Sequence, residues 1–157
     1  MYKQIIISRR DLNMSYGKFA AQVSHASMAF LTCMIRNYSL PYCEEHTLAL
    51  FDEPTFYKCF LHIDKDLYEQ WINGEFTKCV LQAKNKNQLL KAKTIAEELG
   101  MKEGKDFWLI RDNCHTELEP EEFDENGVGR TLTCIGFRPM DSEIIDQIGK
   151  KYQLYKG

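Results

Sequence analysis

Lys18, Gln22 and His25 are spaced four and three apart, so on a helix they stack on one face and present a cation, an amide and an imidazole together. A helix beginning after Ser15, a good N-cap, would carry Gly17 and Lys18 in its first turn. Unpaired amides and the positive helix end favour an anion there, phosphate above all. Gly17 lets such an anion approach the backbone, and Lys18 adds a full charge, although position alone equally allows a solvated surface lysine. Asp112 ends an apolar strand beside Asn113 and suits a general base or a carboxylate that orients a hydroxyl. A strand-end carboxylate capping a turn is the plainer alternative. Thr116 and Thr131 offer hydroxyls near strand ends, where threonine is common. Ser24-His25 does not make a nucleophile and its base: helix neighbours point ~100° apart, and no nucleophile-elbow motif surrounds them. No phosphate-loop, dinucleotide-binding or HExxH pattern occurs.

The elements that must position these groups follow from periodicity. Residues 3–8 form a short, Ile-rich strand. In the helix that follows, Phe19, Val23, Ala26, Phe30 and Cys33 make an apolar face for packing on a sheet, about a quarter turn from the Lys18 stripe. Between Asn37 and Gln70 the pattern breaks at Pro41 and at Asp52-Glu53-Pro54. The apolar runs Leu48–Phe51 and Phe56–Ile63 suggest a hairpin there. A strand over 77–83 leads to a helix capped by Asn85 or Asn87 and stopped by Gly100. Strands follow over 106–111 and, after the turn Asn126-Gly127-Val128-Gly129, over Thr131–Phe137. A short helix begins near Asp141, and the tail Tyr152–Tyr155 adds an edge strand.

This alternation predicts a three-layer α/β domain, a four-stranded mixed sheet with helices on both faces. Helical crossovers make the first three strands parallel; the third and fourth, joined without a helix, pair antiparallel. Lys18, Asp112, Thr116 and Thr131 then converge at one solvated edge of the sheet, where open α/β sheets place ligand sites.

The 157 residues suit a single domain over 1–157, with 44% apolar and 27% charged residues ruling out disorder. No segment has the length of a signal-peptide core or a membrane span, which leads us to expect a cytoplasmic protein. Twenty basic against 23 acidic residues give a net charge of −3, unlike most nucleic-acid binders. The charge is uneven, however. Lys3, Arg9, Arg10 and Lys18 make the first twenty residues locally basic, while Glu117, Glu119, Glu121, Glu122, Asp124 and Glu125 crowd one loop. The six cysteines contain no CxxC pair and suit reduced thiols. Cys43-x-x-His46 and Cys59-x-x-His62 repeat one spacing that a zinc ion could use, but Cys59 and His62 sit in an apolar stretch that suits core residues better. We expect no metal and no cofactor.

The run Arg10-Asp11-Leu12-x-Met14-Ser15-x-Gly17-Lys18-x-Ala20-Ala21-Gln22-x-x-His25-Ala26 resembles the N-terminal signature of the type 2 peptidyl-tRNA hydrolases. The resemblance continues through Gln70-Trp71, Thr77–Gln82, Glu98-Leu99-Gly100, Leu109-Ile110-x-Asp112-x-x-x-Thr116, Arg130-Thr131, Ile135-Gly136 and Lys151–Tyr155. It implies hydrolysis of the ester between a peptide and the 3′-terminal ribose of tRNA, by a homodimer. Carried over by position, it implies catalytic roles for Lys18, Asp112 and Thr131, and substrate contacts from Arg10, Gly17, Gln22, His25 and Thr116. Three departures stand out. Residues 38–62 form an insertion, Asp112-Asn113-Cys114 replaces the family's Asp-Ala-Gly, and the loop after Thr116 is longer and acidic. Six carboxylates beside a tRNA path would repel phosphates over a Debye length of ~8–10 Å. Two other readings compete: a non-catalytic RNA- or protein-binding module on the same fold, favoured if loop 117–129 blocks the site, and a hydrolase of smaller acyl esters or amides.

Overall fold

The computed structural model describes all 157 residues. Strand β1 (Tyr2–Arg9) leads into helix α1 (Tyr16–Asn37), then strands β2 (Ser39–Tyr42) and β3 (Phe56–Cys59). A short helix α2 (Lys65–Leu67) runs on as a π-helical segment to Glu75. The chain continues with β4 (Lys78–Ala83), α3 (Lys86–Glu98), β5 (Phe107–Asp112), β6 (Glu122–Phe123) and β7 (Gly129–Phe137). It closes with β8 (Met140–Asp141), α4 (Ser142–Gly149) and β9 (Gln153–Leu154).

The sheet has seven strands rather than four. Its main path runs β5-β7-β1-β4-β9, with β6 added to β7 and β8 to β1. Strands β6 and β8 are two residues long, too short for an alternating pattern to reveal them. The expected directions hold: β1 and β4 are parallel, and β7 lies antiparallel to both β1 and β5. The tail does add an edge strand, β9 against β4.

Alternation along β1 explains the layers. Ile5 and Ile7 face the main core with Leu89 and Ala92 of α3 and Ile145 and Ile148 of α4. Ile6 faces the other way and packs with Cys134 and Ala26 of α1. Gly136 permits a close approach there, since a Cβ at that position would lie 2.2 Å from the Ala26 carbonyl oxygen. Beyond it, Phe30 packs with Leu67 and Trp71, both almost fully buried. The caps fall where the sequence puts them: Ser15, Asn85 and Asp141 each accept a backbone N–H of the helix that follows.

The region after α1 differs from expectation. The hairpin pairs Ser39–Tyr42 with Phe56–Cys59, while Leu48 makes only an isolated bridge to Tyr42. Pro41 lacks an N–H and is tolerated because this ribbon has a free edge on each strand. Leu50 and Phe51, expected in a strand, lie exposed in the connecting loop. Cys43, His46, Cys59 and His62 are not gathered: His46 packs its ring on Phe56 and His62 on Tyr38. No group of three or more His, Cys, Asp or Glu side chains is placed to hold a metal ion.

Candidate active site

Strand β5 ends at Asp112 directly opposite Thr131 of β7, and the first turn of α1 lies over that end of the sheet. The Lys18 ammonium reaches across and donates to Asp112 Oδ1 at 2.7 Å and to Thr116 Oγ1 at 3.0 Å. One helical turn on, the Gln22 amide donates to the same Oδ1 at 2.9 Å. The other carboxylate oxygen, Oδ2, accepts the Cys114 N–H at 2.9 Å. Burial pushes the Asp112 carboxyl up, but Lys18, the Cys114 amide and Gln22 outweigh it and hold the group below its ordinary range. Asp112 is therefore a fixed anion at neutral pH. The pair is also more buried than an exposed sheet edge implies, with side-chain exposures of 14% for Lys18 and 8% for Asp112.

Gln22 is itself held from behind, a feature the sequence reading missed. The Thr133 hydroxyl donates to Gln22 Oε1 at 2.7 Å, and both residues are buried. Thr133 reaches α1 because β7 carries a bulge. Ile110 pairs with Cys134 and Arg111 with Leu132, leaving Thr133 as the extra residue. A bulge re-aims side chains, and here Thr133 and Cys134 both face α1 although they are consecutive. The only available signal was threonine at two alternate positions, 131 and 133, in an otherwise apolar strand.

Thr131 stands differently from Lys18 and Asp112. It is fully buried, and its hydroxyl donates to the Glu119 carbonyl while accepting the Glu121 N–H at 3.1 Å. The Cys114 thiol lies 3.4 Å away. Thr131 thus fastens the acidic loop and the Asp112 turn to β7 rather than opening toward solvent. His25 lies one turn beyond Gln22 and is exposed. Gly17 is exposed and a Cβ would meet nothing there, so its smallness serves access rather than packing. Arg10 lies in a separate hollow at the start of α1, with Tyr16, Phe19, Tyr155 and Lys156.

Three of the six carboxylates of the acidic loop are neutralised by ion pairs within the molecule. Glu121 forms a bidentate pair with Arg9, each oxygen 2.7 Å from a guanidinium nitrogen, and also approaches Lys86. Arg9 is buried and pairs with Asp11 as well, so it is a structural residue. Glu122 pairs with Arg111, and Asp124 with Arg130 and the turn amides. Glu117 accepts both the N–H and the hydroxyl of Ser15. The chain's own carboxylate thus sits on the cap residue, next to the first-turn amides where phosphate was expected. The loop anchors beside the site, while Tyr16, Gly17 and His25 remain exposed.

A family model described as peptidyl-tRNA hydrolase PTH2 matches residues 2–155. The chain belongs to this family. Among curated relatives, the peptidyl-tRNA hydrolase of Methanopyrus kandleri is 34% identical over 149 residues, covering 94% of this chain and 93% of its own. That of Haloquadratum walsbyi is 31% identical over 153 residues, covering 98% and 99%. That of Thermoplasma acidophilum is 28% identical over 152 residues, covering 97% of each.

Proposed function

We propose that this chain hydrolyses the ester linking a peptide to the 3′-terminal ribose of tRNA. The observation that carries the reading is the 2.7 Å pairing of Lys18 with Asp112 at the start of α1, in a chain of the peptidyl-tRNA hydrolase family. Water is the nucleophile: the one serine hydroxyl bonded to a carboxylate, Ser15 on Glu117, is the cap of α1, and its hydrogen bonds hold Glu117 below the ordinary carboxylate range, which makes it a weak base. Its oxygen bonds to the ester carbonyl carbon, and the bond from that carbon to the ribose oxygen breaks. The ribose oxygen ends protonated, and the peptide leaves as a carboxylate with release of a proton. The depressed pKa of Asp112 makes it a weak base, so it orients the water and holds Lys18 rather than storing the proton. Lys18 stabilises the oxyanion of the tetrahedral intermediate. Gln22 and Thr133 fix the carboxylate, and Thr131 supports it through the Cys114 turn.

The hollow around Arg10 supports a nucleic-acid substrate. Phe19 and Tyr155 stack at 4.2 Å beside an exposed Tyr16, with Arg10 and Lys156 on the same rim. Single-stranded RNA ends are held by such combinations of aromatic faces and charge. We read the protein further as a cytoplasmic homodimer, on family resemblance; sedimentation tests the oligomeric state. Residues 38–62 are read as an insertion, supported by the separate two-stranded sheet they build.

Purified protein assayed on peptidyl-tRNA tests the reading. Lys18→Ala and Asp112→Asn should each lower turnover about 10²–10³-fold, with melting temperature measured alongside. Turnover at the parent rate in either variant removes that residue from the mechanism, and no hydrolysis by the parent protein overturns the function.

A further inference from the structure

A peptidyl-tRNA carries a second polymer, and the peptide must leave the ester site along some path. Resting on the proposed hydrolysis, we infer that the peptide lies as an added parallel strand against β5, in the groove between that strand and α1. Three observations converge on this path.

The groove adjoins the site. His25, Met28, Thr32 and Arg36 of α1 face Trp108 and Ile110 of β5 across it. His25 is one turn past Gln22, which holds Asp112, and Ile110 is two residues before Asp112. The groove therefore begins where the ester carbonyl must sit.

The strand beside it is unpaired. β5 is the outermost strand on its side: β7 takes one edge, and beyond the bridge from Phe107 to Glu103 no strand takes the other. Its free amides and carbonyls are a template for an extended chain. Recognition through the backbone does not depend on which side chains the peptide bears.

Covalent chemistry fixes the direction. A peptide is esterified through its C-terminal carboxyl, so its C-terminal residue lies at Asp112 and its N-terminus points toward Trp108. It thus runs in the same sense as β5. From His25 to Arg36 the helix rises about 17 Å, at 1.5 Å per residue, which accommodates about five extended residues. The nucleotide side of the substrate lies at the opposite end, by Arg10 and Lys156.

The test is a series of N-acetylated peptidyl-tRNAs carrying one, three or five residues, each hydrolysed by the parent protein. KM should fall roughly tenfold between one and five residues, a change of one decade in affinity, and level off beyond that length. N-methylation of the peptide backbone at alternate residues should reverse the gain, and methylation at the intervening ones should not. The variants Met28→Trp and Thr32→Trp, which fill the groove, should flatten the length dependence, read as the ratio of kcat/KM for the five-residue to the one-residue substrate. Hydrolysis of every substrate with no length dependence overturns the peptide path and leaves the ester hydrolase standing. A length dependence kept in both tryptophan variants places the peptide elsewhere and overturns it too. Failure to hydrolyse any of the series overturns both readings.

Discussion

Cys114 adopts a left-handed backbone, with φ of 58°, while its amide holds Asp112. That conformation costs a non-glycine residue about 1–2 kcal/mol. The strain is tolerable because the turn is tied down by Asp112 and by Thr131. Cys114→Gly should therefore retain hydrolysis within about threefold, with a melting temperature at or above the parent's. Cys114→Val, β-branched at positive φ, should misplace the carboxylate and lose most activity. Equal activity in the two variants would show that the turn does not set Asp112. Thr133→Val probes the same carboxylate from the other side. It removes the hydroxyl behind Gln22, and kcat should fall about tenfold with KM hardly changed, since Thr133 touches no substrate. A change confined to KM would contradict that positioning role.

At the scale of elements, α1 is held against the sheet at Gly136 and the acidic loop is held by ion pairs. Gly136→Ala would drive a Cβ into the Ala26 carbonyl, backbone against backbone, and should destabilise the protein by about 1–3 kcal/mol. A thermal melt unchanged from the parent's would mean that α1 can shift freely. The loop carries its own pH signature. Arg9, then Lys86, hold the Glu121 carboxyl below its ordinary range, and Arg111 does the same for Glu122. Groups with depressed folded pKa values contribute stability that is present above the unfolded value, ~4.3 for Glu, and is lost as pH falls through the lower folded value. Melting temperature should thus hold from pH 7 to pH 5 and drop below about pH 4, the drop shrinking in Glu121→Gln. These elements also show what the sequence could reveal. The Ile-rich strand, the Ser15 cap and the Lys18 stripe were legible because each is local: an unbroken apolar run, a cap residue before a helix and a stripe of period 3.6. The β7 bulge was not, because one extra residue breaks the alternation on which strand reading depends. Nor were the partners of the acidic loop, since Arg9 and Glu121 are 112 residues apart and meet only in the fold.

For the whole molecule, the net charge of −3 misdescribes the face that meets a substrate. Asp11 and three acidic side chains of the loop, Glu121, Glu122 and Asp124, pair with Arg9, Arg111 and Arg130, which leaves Arg10 and Lys156, beside the Lys18–Asp112 pair, to set the local field. Two or three phosphate contacts should give a log–log salt slope of about −1.5 to −2, at ~0.7 per contact for a single strand. Titration of tRNA between 50 and 300 mM salt measures it, and a flat dependence would favour a small neutral ester as substrate. The same balance revises what the loop's charge does. Removing Glu121 or Glu122 loosens the anchor, whereas Glu117, which sits on Ser15 next to the first-turn amides, is the carboxylate whose loss should tighten tRNA binding at low salt.

The chain has two tryptophans, and they occupy opposite situations. Trp71 is 1% exposed, edge-on to Phe30 and against Phe76, with its indole N–H bonded to the Thr77 carbonyl. Trp108 lines the groove beside β5 and is partly open to water. The protein thus has two indole fluorophores, excited apart from its tyrosines at long wavelength, that report on different events. A peptide entering the groove should shift and intensify the Trp108 emission as water leaves its ring, while Trp71 stays silent until the fold itself opens. In a Trp71→Phe variant kept under folding conditions the remaining indole emission would follow substrate occupancy, and an emission that ignores saturating peptide would place the peptide away from Trp108.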